Sequence, residues 1–170
     1  MRKERWNKAF AGTSELTGTS RGGFSNEEVN IKATIVIEHL IQASDVSHTM
    51  QHWHIYRKWN ERLFCELNEA FKAGRMAKNP AEFWYKGELG FFDNYIIPLT
   101  KKLKECNVFG VSSAEYLSYA MANREEWEMK GEQIVAELVK KYQRDFIMEE
   151  DEGSESEQDD DGDDNSNISV

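Results

Sequence analysis

The chain has 170 residues, the size of one domain. Hydrophobic residues make up 39 % and charged residues 31 %, and the formal charge of −10 sits in one place: segment 149–164 holds eleven of the thirty-one acids and none of the twenty-one bases. The remainder is nearly neutral, which excludes an acidic domain and gives no support to a nucleic-acid binder, which needs a basic face.

Residues 1–26 hold Gly12, Gly18, Gly22 and Gly23 among many Ser and Thr, the composition of a flexible lead-in. Residues 1–10 are charged and lack the apolar stretch of a secretory signal. Trp6 and Phe10 either pack onto the body or belong to the end of a helix whose start is missing. A helix is expected from Asn26, capped by Ser25 or Asn26, with Glu27 and Glu28 at the positive end of its dipole. Ile31, Ile35, Glu38 and Ile41 fall at helical spacing, as do Val36, Leu40 and Ala43. The β-branched run Thr34-Ile35-Val36-Ile37 also suits a short strand, but no turn signal bounds it before Asp45, so a buried helix is favoured.

After a break at Ser44–Thr49, a second helix is expected over Met50–Ala73, with Trp53, Tyr56, Trp59 and Leu63 as its apolar line and Gly74 as a left-handed cap. Asn79-Pro80 is a turn that opens a third helix. This helix carries Phe83, Trp84, Leu89, Phe91, Phe92, Tyr95 and Ile96, is kinked by Pro98, and resumes to Cys106. A loop, 107–112, precedes a last helix capped by Ser112 or Ser113, whose apolar face includes Tyr116, Tyr119, Ala120, Trp127, Ile134, Val135, Leu138 and Tyr142. From Glu149 there is no apolar residue until Ile168, so the tail is expected to stay disordered.

The expected fold is therefore all-α, a compact multi-helix domain of four or five helices with a lead-in and an acidic tail. Twenty aromatics are more than such helices enclose alone, which suggests a piece of a larger helical domain. Cys65 and Cys106 have no CxxC spacing and imply a reducing compartment without a disulfide. No run of eighteen apolar residues exists to span a membrane. The expected location is cytoplasmic and soluble, with the parent protein free to be membrane-attached.

Three constellations stand out. On a continuous helix His48 and His52 would share a face at i, i+4, a metal spacing that Asp45 can join. The spacing alone is weak, and polar residues at a helix break are the plainer explanation. Glu88 and Phe91 are three apart and project together, an acceptor beside an aromatic surface, which is what a purine requires. Gly90 between them costs about 1 kcal/mol against Ala in a helix. Its plainer role is close helix packing, with Phe91 in the core. Ser154 and Ser156 among glutamates suit an acidophilic kinase, though a solvated tail is the simpler account.

Three blocks together resemble the C-terminal half of the class I 3′,5′-cyclic nucleotide phosphodiesterase catalytic domain, over Ile37 to Val135. Gln42-Ala43-Ser44-Asp45-Val46-Ser47 followed by Tyr56-Arg57-Lys58-Trp59-Asn60-Glu61-Arg62 is similar to that family's AxD(I/L/V)S…YRxWxxR block. Gly90-Phe91-Phe92-Asp93 with Pro98-Leu99 resembles QxGFxD…PL, and Asn123-Arg124 with Trp127 resembles an NRxxW region. The resemblance implies residues 27–147 as the C-terminal part of such a domain, between the flexible lead-in, 1–26, and the disordered acidic tail, 148–170, that composition marks off.

The resemblance also implies roles. Asp45 matches a metal-binding aspartate, and His48 a position that braces the metal site. His52 and His54 match no family role. Phe91 matches the aromatic under the purine and Leu63 the aliphatic clamp above it. Tyr56 and Trp59 match pocket walls, and Asn60 replaces a hydroxylic or small polar neighbour. The family's purine-binding glutamine is Glu88 here. An ionised Glu only accepts, which favours guanine's N1–H and N2–H₂ and biases the pocket toward cGMP over cAMP, or else weakens base recognition.

The implied activity is metal-dependent hydrolysis of cAMP and/or cGMP to the 5′-monophosphate in signal transduction, with divalent metals (Zn, and Mg or Mn). The upstream histidine motifs that supply three metal ligands and the general-acid His are absent, and zinc needs about four ligands or three plus water. The chain alone is thus expected to hold no metal and to be inactive: a fragment, or a degenerate copy, lacking an N-terminal catalytic half. The expected partner is a cyclic nucleotide, with no nucleic acid. A non-catalytic nucleotide-binding module and a helical interaction module are the alternatives.

Overall fold

The computed structural model describes Trp6 and residues 25–107, 109–110 and 112–155, with side chains as far as residue 144. The order is α1 (Asn26–Asp45), a 3₁₀ turn (Ser47–Met50), α2 (Trp53–Lys72), α3 (Pro80–Phe91), a π-helical turn (Phe92–Ile96), α4 (Ile97–Cys106) and α5 (Ser112–Glu155). The fold is all-α, with no strand among the described residues. Helices α2, α3 and α4 pack on α5, and α1 packs on α4.

Local signals set most boundaries. The Ser25 hydroxyl accepts from the Glu28 amide at 3.2 Å, and the Glu28 carboxylate accepts from the Ser25 amide at 2.9 Å, a reciprocal capping box. Gly74 ends the α2 segment at φ +70°, the left-handed turn that lacks a penalty only for glycine. The Asn79 side chain caps α3 by accepting from Ala81 N at 3.0 Å, ahead of Pro80 in the first turn.

Pro98 was expected to kink the third helix. The chain widens just before it. The Ile97 N–H bonds to the Phe92 carbonyl, a π-helical step. The wide turn makes room for the ring of Pro98, which lacks an N–H and would crowd a tight preceding turn.

The core gathers Tyr56, Phe64, Trp84, Phe92, Ile96, Leu103 and Trp127. Each large apolar side chain so buried contributes roughly 1.5–3 kcal/mol. Three findings correct the expected faces. Helix α1 is not buried all round: Ile35, His39 and Ala43 face inward, while Ile31, Ile37 and Ile41 are exposed. The second helix begins at Trp53, because Gln51 is extended (φ −121°, ψ −179°) and leaves Met50 in the 3₁₀ turn. The buried line of α2 is Tyr56, Asn60, Phe64 and Asn68, whereas Trp59 and Leu63 are exposed.

Gly131, absent from the sequence expectations, sits on α5 tight against the Tyr85 ring of α3. A Cβ there would lie 2.8 Å from the Tyr85 ring and 2.9 Å from the Trp127 ring. At Gly90 the same atom would meet only Asn94 Nδ2 at 3.8 Å, an ordinary contact, so close helix packing is not what that glycine serves.

Trp6 packs onto the body. Its indole donates to Glu105 at 3.2 Å, its ring lies 4.7 Å from that of His39, and Lys102 Nζ approaches it at 5.3 Å. Phe10 and most of 1–26 lie outside the described residues, as does the tail after 155. The α5 backbone continues past the expected boundary at 148 to Glu155.

Candidate functional site

The face shared by α2 and α3 carries the candidate site. Tyr56 is fixed by rings on several sides: Phe92 at 5.3 Å and Trp127 at 6.0 Å, both edge-on, and Trp53 at 5.5 Å. Its hydroxyl donates to Glu88 Oε2 at 2.7 Å. Asn60, one turn further along α2, donates through Nδ2 to the Tyr56 oxygen at 3.4 Å. The Trp84 indole, one turn before Glu88, donates to Asn60 Oδ1 at 3.3 Å. Two helices thus converge on one carboxyl group.

Burial pushes the Glu88 carboxyl above the usual range, and the hydrogen bonds from Tyr56 and Asn60 pull it back toward the ionised form. The same burial, with the negative charge of Glu88 beside it, pushes the Tyr56 phenol well up and keeps it a donor. Phe91 lies on the next turn after Glu88, half-buried, with Tyr95 stacked on it at 5.4 Å and 9° between planes. That contact ties the end of α3 to the π turn, which contains Tyr95.

Trp59 and Leu63 stand exposed on α2 beside Asn60. The Trp59 ring meets Arg62 at 5.1 Å and lies 6.3 Å from the His48 ring. His48 is half-buried, and desolvation pushes its imidazole below the usual value, toward the neutral form. His48 therefore connects the 3₁₀ turn after Asp45 to the α2 face. Asp45 itself, the last residue of α1, is exposed.

The extended Gln51 also separates the histidines, so His48 and His52 do not share a helical face. His52 turns to Tyr119, whose hydroxyl lies 3.1 Å from its Nε2, and stacks on His54 at 5.9 Å. Among the described residues no three His, Cys, Asp or Glu side chains converge to hold a metal ion. With about four ligands needed, the described residues do not fit a closed zinc site. One hollow of about 320 Å³ lies among Leu40, Ser44, Ser47, Met50 and Tyr116, and another of about 420 Å³ along Lys58, Arg62 and Cys65 of α2; Asp45, Glu88 and Phe91 line neither.

The sequence blocks did not disclose the braces behind this face. Asn123 Nδ2 donates to the carbonyls of Thr49 at 3.0 Å and Gln51 at 2.8 Å, holding the 3₁₀ turn against α5. Arg124 makes two bonds to Asp93, at 2.9 and 3.1 Å, pinning the π turn. The Trp127 indole donates to the Tyr85 carbonyl at 3.1 Å. The signal was present in the adjacent pair Asn123-Arg124, but nothing in the sequence pointed to these partners.

A family model described as 3'5'-cyclic nucleotide phosphodiesterase matches residues 6–113. The match starts ahead of the expected boundary at 27 and stops before Asn123, Arg124 and Trp127. Neither the curated proteins nor the solved structures yield a match. No described helix is long and apolar enough to cross a membrane.

Proposed function

The chain belongs to the 3'5'-cyclic nucleotide phosphodiesterase family, and we propose from that premise that the α2–α3 face binds the base of a cyclic nucleotide. The observation that carries the reading is the donor chain that runs from Asn60 through the Tyr56 hydroxyl to Glu88, one helical turn from the Phe91 ring. Donors on one side of a carboxylate leave its remaining lone pairs to accept from a ligand. Guanine offers N1–H and N2–H₂ to such an edge, whereas adenine offers N1 as a competing acceptor. The favoured ligand is cGMP. Phe91 supplies the stacking surface, Leu63 the opposing clamp, and Trp59 and Tyr56 the walls.

Asp45 is proposed as one metal ligand and His48 as its brace. Divalent metals (Zn, and Mg or Mn) supply the family's water activation. The described residues hold no cluster that fits such a metal, so no hydrolytic step is assigned to them. Residues 27–147 act as the base-binding part of a catalytic domain, and the 170-residue chain alone does not turn over cAMP or cGMP. The histidine motifs of a catalytic half must then come from another segment or chain.

The test is calorimetric binding of cGMP and cAMP to the whole chain, with a turnover assay in Zn, Mg or Mn. Binding of cGMP above cAMP without turnover is expected. Turnover at enzyme-like rates would overturn the assignment of inactivity, and absence of binding would overturn the site. A helical interaction module is the second reading, favoured by one observation: Ile37 and Ile41 of α1 are 55 % and 59 % exposed.

A further inference from the structure

The side chains behind Glu88 form a chain of hydrogen bonds that can run in only one direction. An indole N–H donates and never accepts. Trp84 Nε1 lies 3.3 Å from the Asn60 side-chain oxygen, so the Asn60 amide must turn its oxygen to Trp84 and its NH₂ away. That NH₂ lies 3.4 Å from the Tyr56 oxygen, which therefore accepts. The Tyr56 proton is left for Glu88 Oε2 at 2.7 Å. Each step removes a choice from the next, and Glu88 is left as an acceptor toward the protein.

We propose that Trp84 is a positioning residue for base selection: its N–H, acting through Asn60 and Tyr56, holds Glu88 as an acceptor and so selects a ligand edge that carries donors. This rests on the reading of Glu88 as the base-contacting residue. Trp84 also has an ordinary packing role, 4 % exposed and edge-on to Phe64 at 5.4 Å. Trp84→Phe keeps most of that packing and removes the N–H. Without the N–H, the Asn60 amide is free to flip and offer its oxygen to Tyr56. The Tyr56 proton is then shared between two acceptors, and Glu88 loses its fixed donors. The Tyr56 hydroxyl bonds the Glu88 carboxylate at 2.7 Å, so the titration of that carboxyl reports the relay.

The experiment uses the full chain with cGMP and cAMP as probes. Binding of both is measured by calorimetry, and the Glu88 carboxyl is titrated by carbon NMR. In Trp84→Phe, the cGMP-over-cAMP preference is expected to fall about fivefold, the equivalent of one hydrogen bond, and the Glu88 midpoint to move up. If the variant binds with unchanged preference and an unchanged Glu88 midpoint, the relay is refuted while the base site stands. If the parent chain binds neither nucleotide, the base site itself is refuted and the selection role with it. Should Trp84→Phe not fold, the parent chain decides: the Trp84 indole proton resonance must shift with the Glu88 midpoint as pH is varied, and a resonance indifferent to that titration overturns the relay.

Discussion

The Asn123 amide donates to the Thr49 carbonyl at 3.0 Å across the break between α1 and α2. Its second bond, to the Gln51 carbonyl at 2.8 Å, leaves both N–H groups used, and the residue is 2 % exposed. The extended Gln51 prevents the local chain from closing these bonds itself. Truncating Asn123 to Ala strands two carbonyls against the core. The expected loss is about 2–3 kcal/mol in urea unfolding, the cost of buried acceptors without donors. A loss below about 0.5 kcal/mol, the range of an ordinary surface change, would show that water reaches these carbonyls.

Gly131→Ala tests how tightly α5 packs against the Tyr85 ring of α3. The added methyl would lie 2.8 Å from the Tyr85 ring and 2.9 Å from that of Trp127. Trp127 is fully buried and held by its bond to the Tyr85 carbonyl, so it has little room to yield. Overpacking of this kind costs about 1–3 kcal/mol. In a solvated helix the same change is worth up to about 1 kcal/mol in favour of Ala. A variant as stable as the parent, or more so, would mean that the rings separate freely.

These two residues mark where the sequence was hard to read. Caps were legible because their physics is local: Ser25 with Glu28, Asn79 with Pro80, and Gly74 each satisfy backbone within a few residues. Glu88 and Phe91 were legible as neighbours on one face because they sit three apart on one helix. Asn60, Asn68 and Asn123 were not legible as core. An amide is buried only when partners across the fold receive it, and those partners are set by packing. The exposed side of α1 was misjudged for a related reason: apolar spacing shows which residues seek cover, and the neighbours decide which receive it. The proline marked where the third helix would be disturbed, but its sequence position did not show that the preceding turn widens to a π step.

Stability should depend on pH through Glu88. Its folded carboxyl titrates above the ordinary value of 4.5, chiefly because burial disfavours the charge. The folded state therefore binds a proton where the unfolded state has lost it. The group's contribution is fully present below about 4.5 and is lost as pH rises through the folded value. Glu88→Gln should flatten this part of the stability–pH curve and gain on the parent as pH rises toward neutrality. Parallel curves for the two proteins across that window would contradict the assignment.

Arg124 and Asp93 should behave in the opposite sense and more weakly. The Arg124 hydrogen bonds hold the Asp93 carboxyl below the ordinary 3.8, so the pair stabilises above that value and loses its effect as pH falls through the folded one. Both side chains are partly exposed, at 25 % and 45 %. Solvent screening limits the pair to about 1 kcal/mol. Arg124→Ala should lose that amount at neutral pH and low salt, and less in high salt. A loss of several kcal/mol, insensitive to salt, would place this clasp among the buried interactions.

Phe91 tests whether the α2–α3 face binds a nucleotide, as proposed, or is purely structural. The ring is half-buried and stacked on Tyr95, so its truncation removes some packing in any case. A base stacked on an aromatic is worth roughly 1–3 kcal/mol. Phe91→Ala should therefore weaken cGMP binding by about 5- to 150-fold, while Phe91→Tyr, which keeps the ring, should stay within about twofold of the parent. The pair of variants distinguishes loss of a stacking surface from loss of fold. If Phe91→Ala is folded by circular dichroism and still binds cGMP as the parent does, the base does not rest on this ring. The recognition assigned to α2 and α3 would then have to be sought on another face.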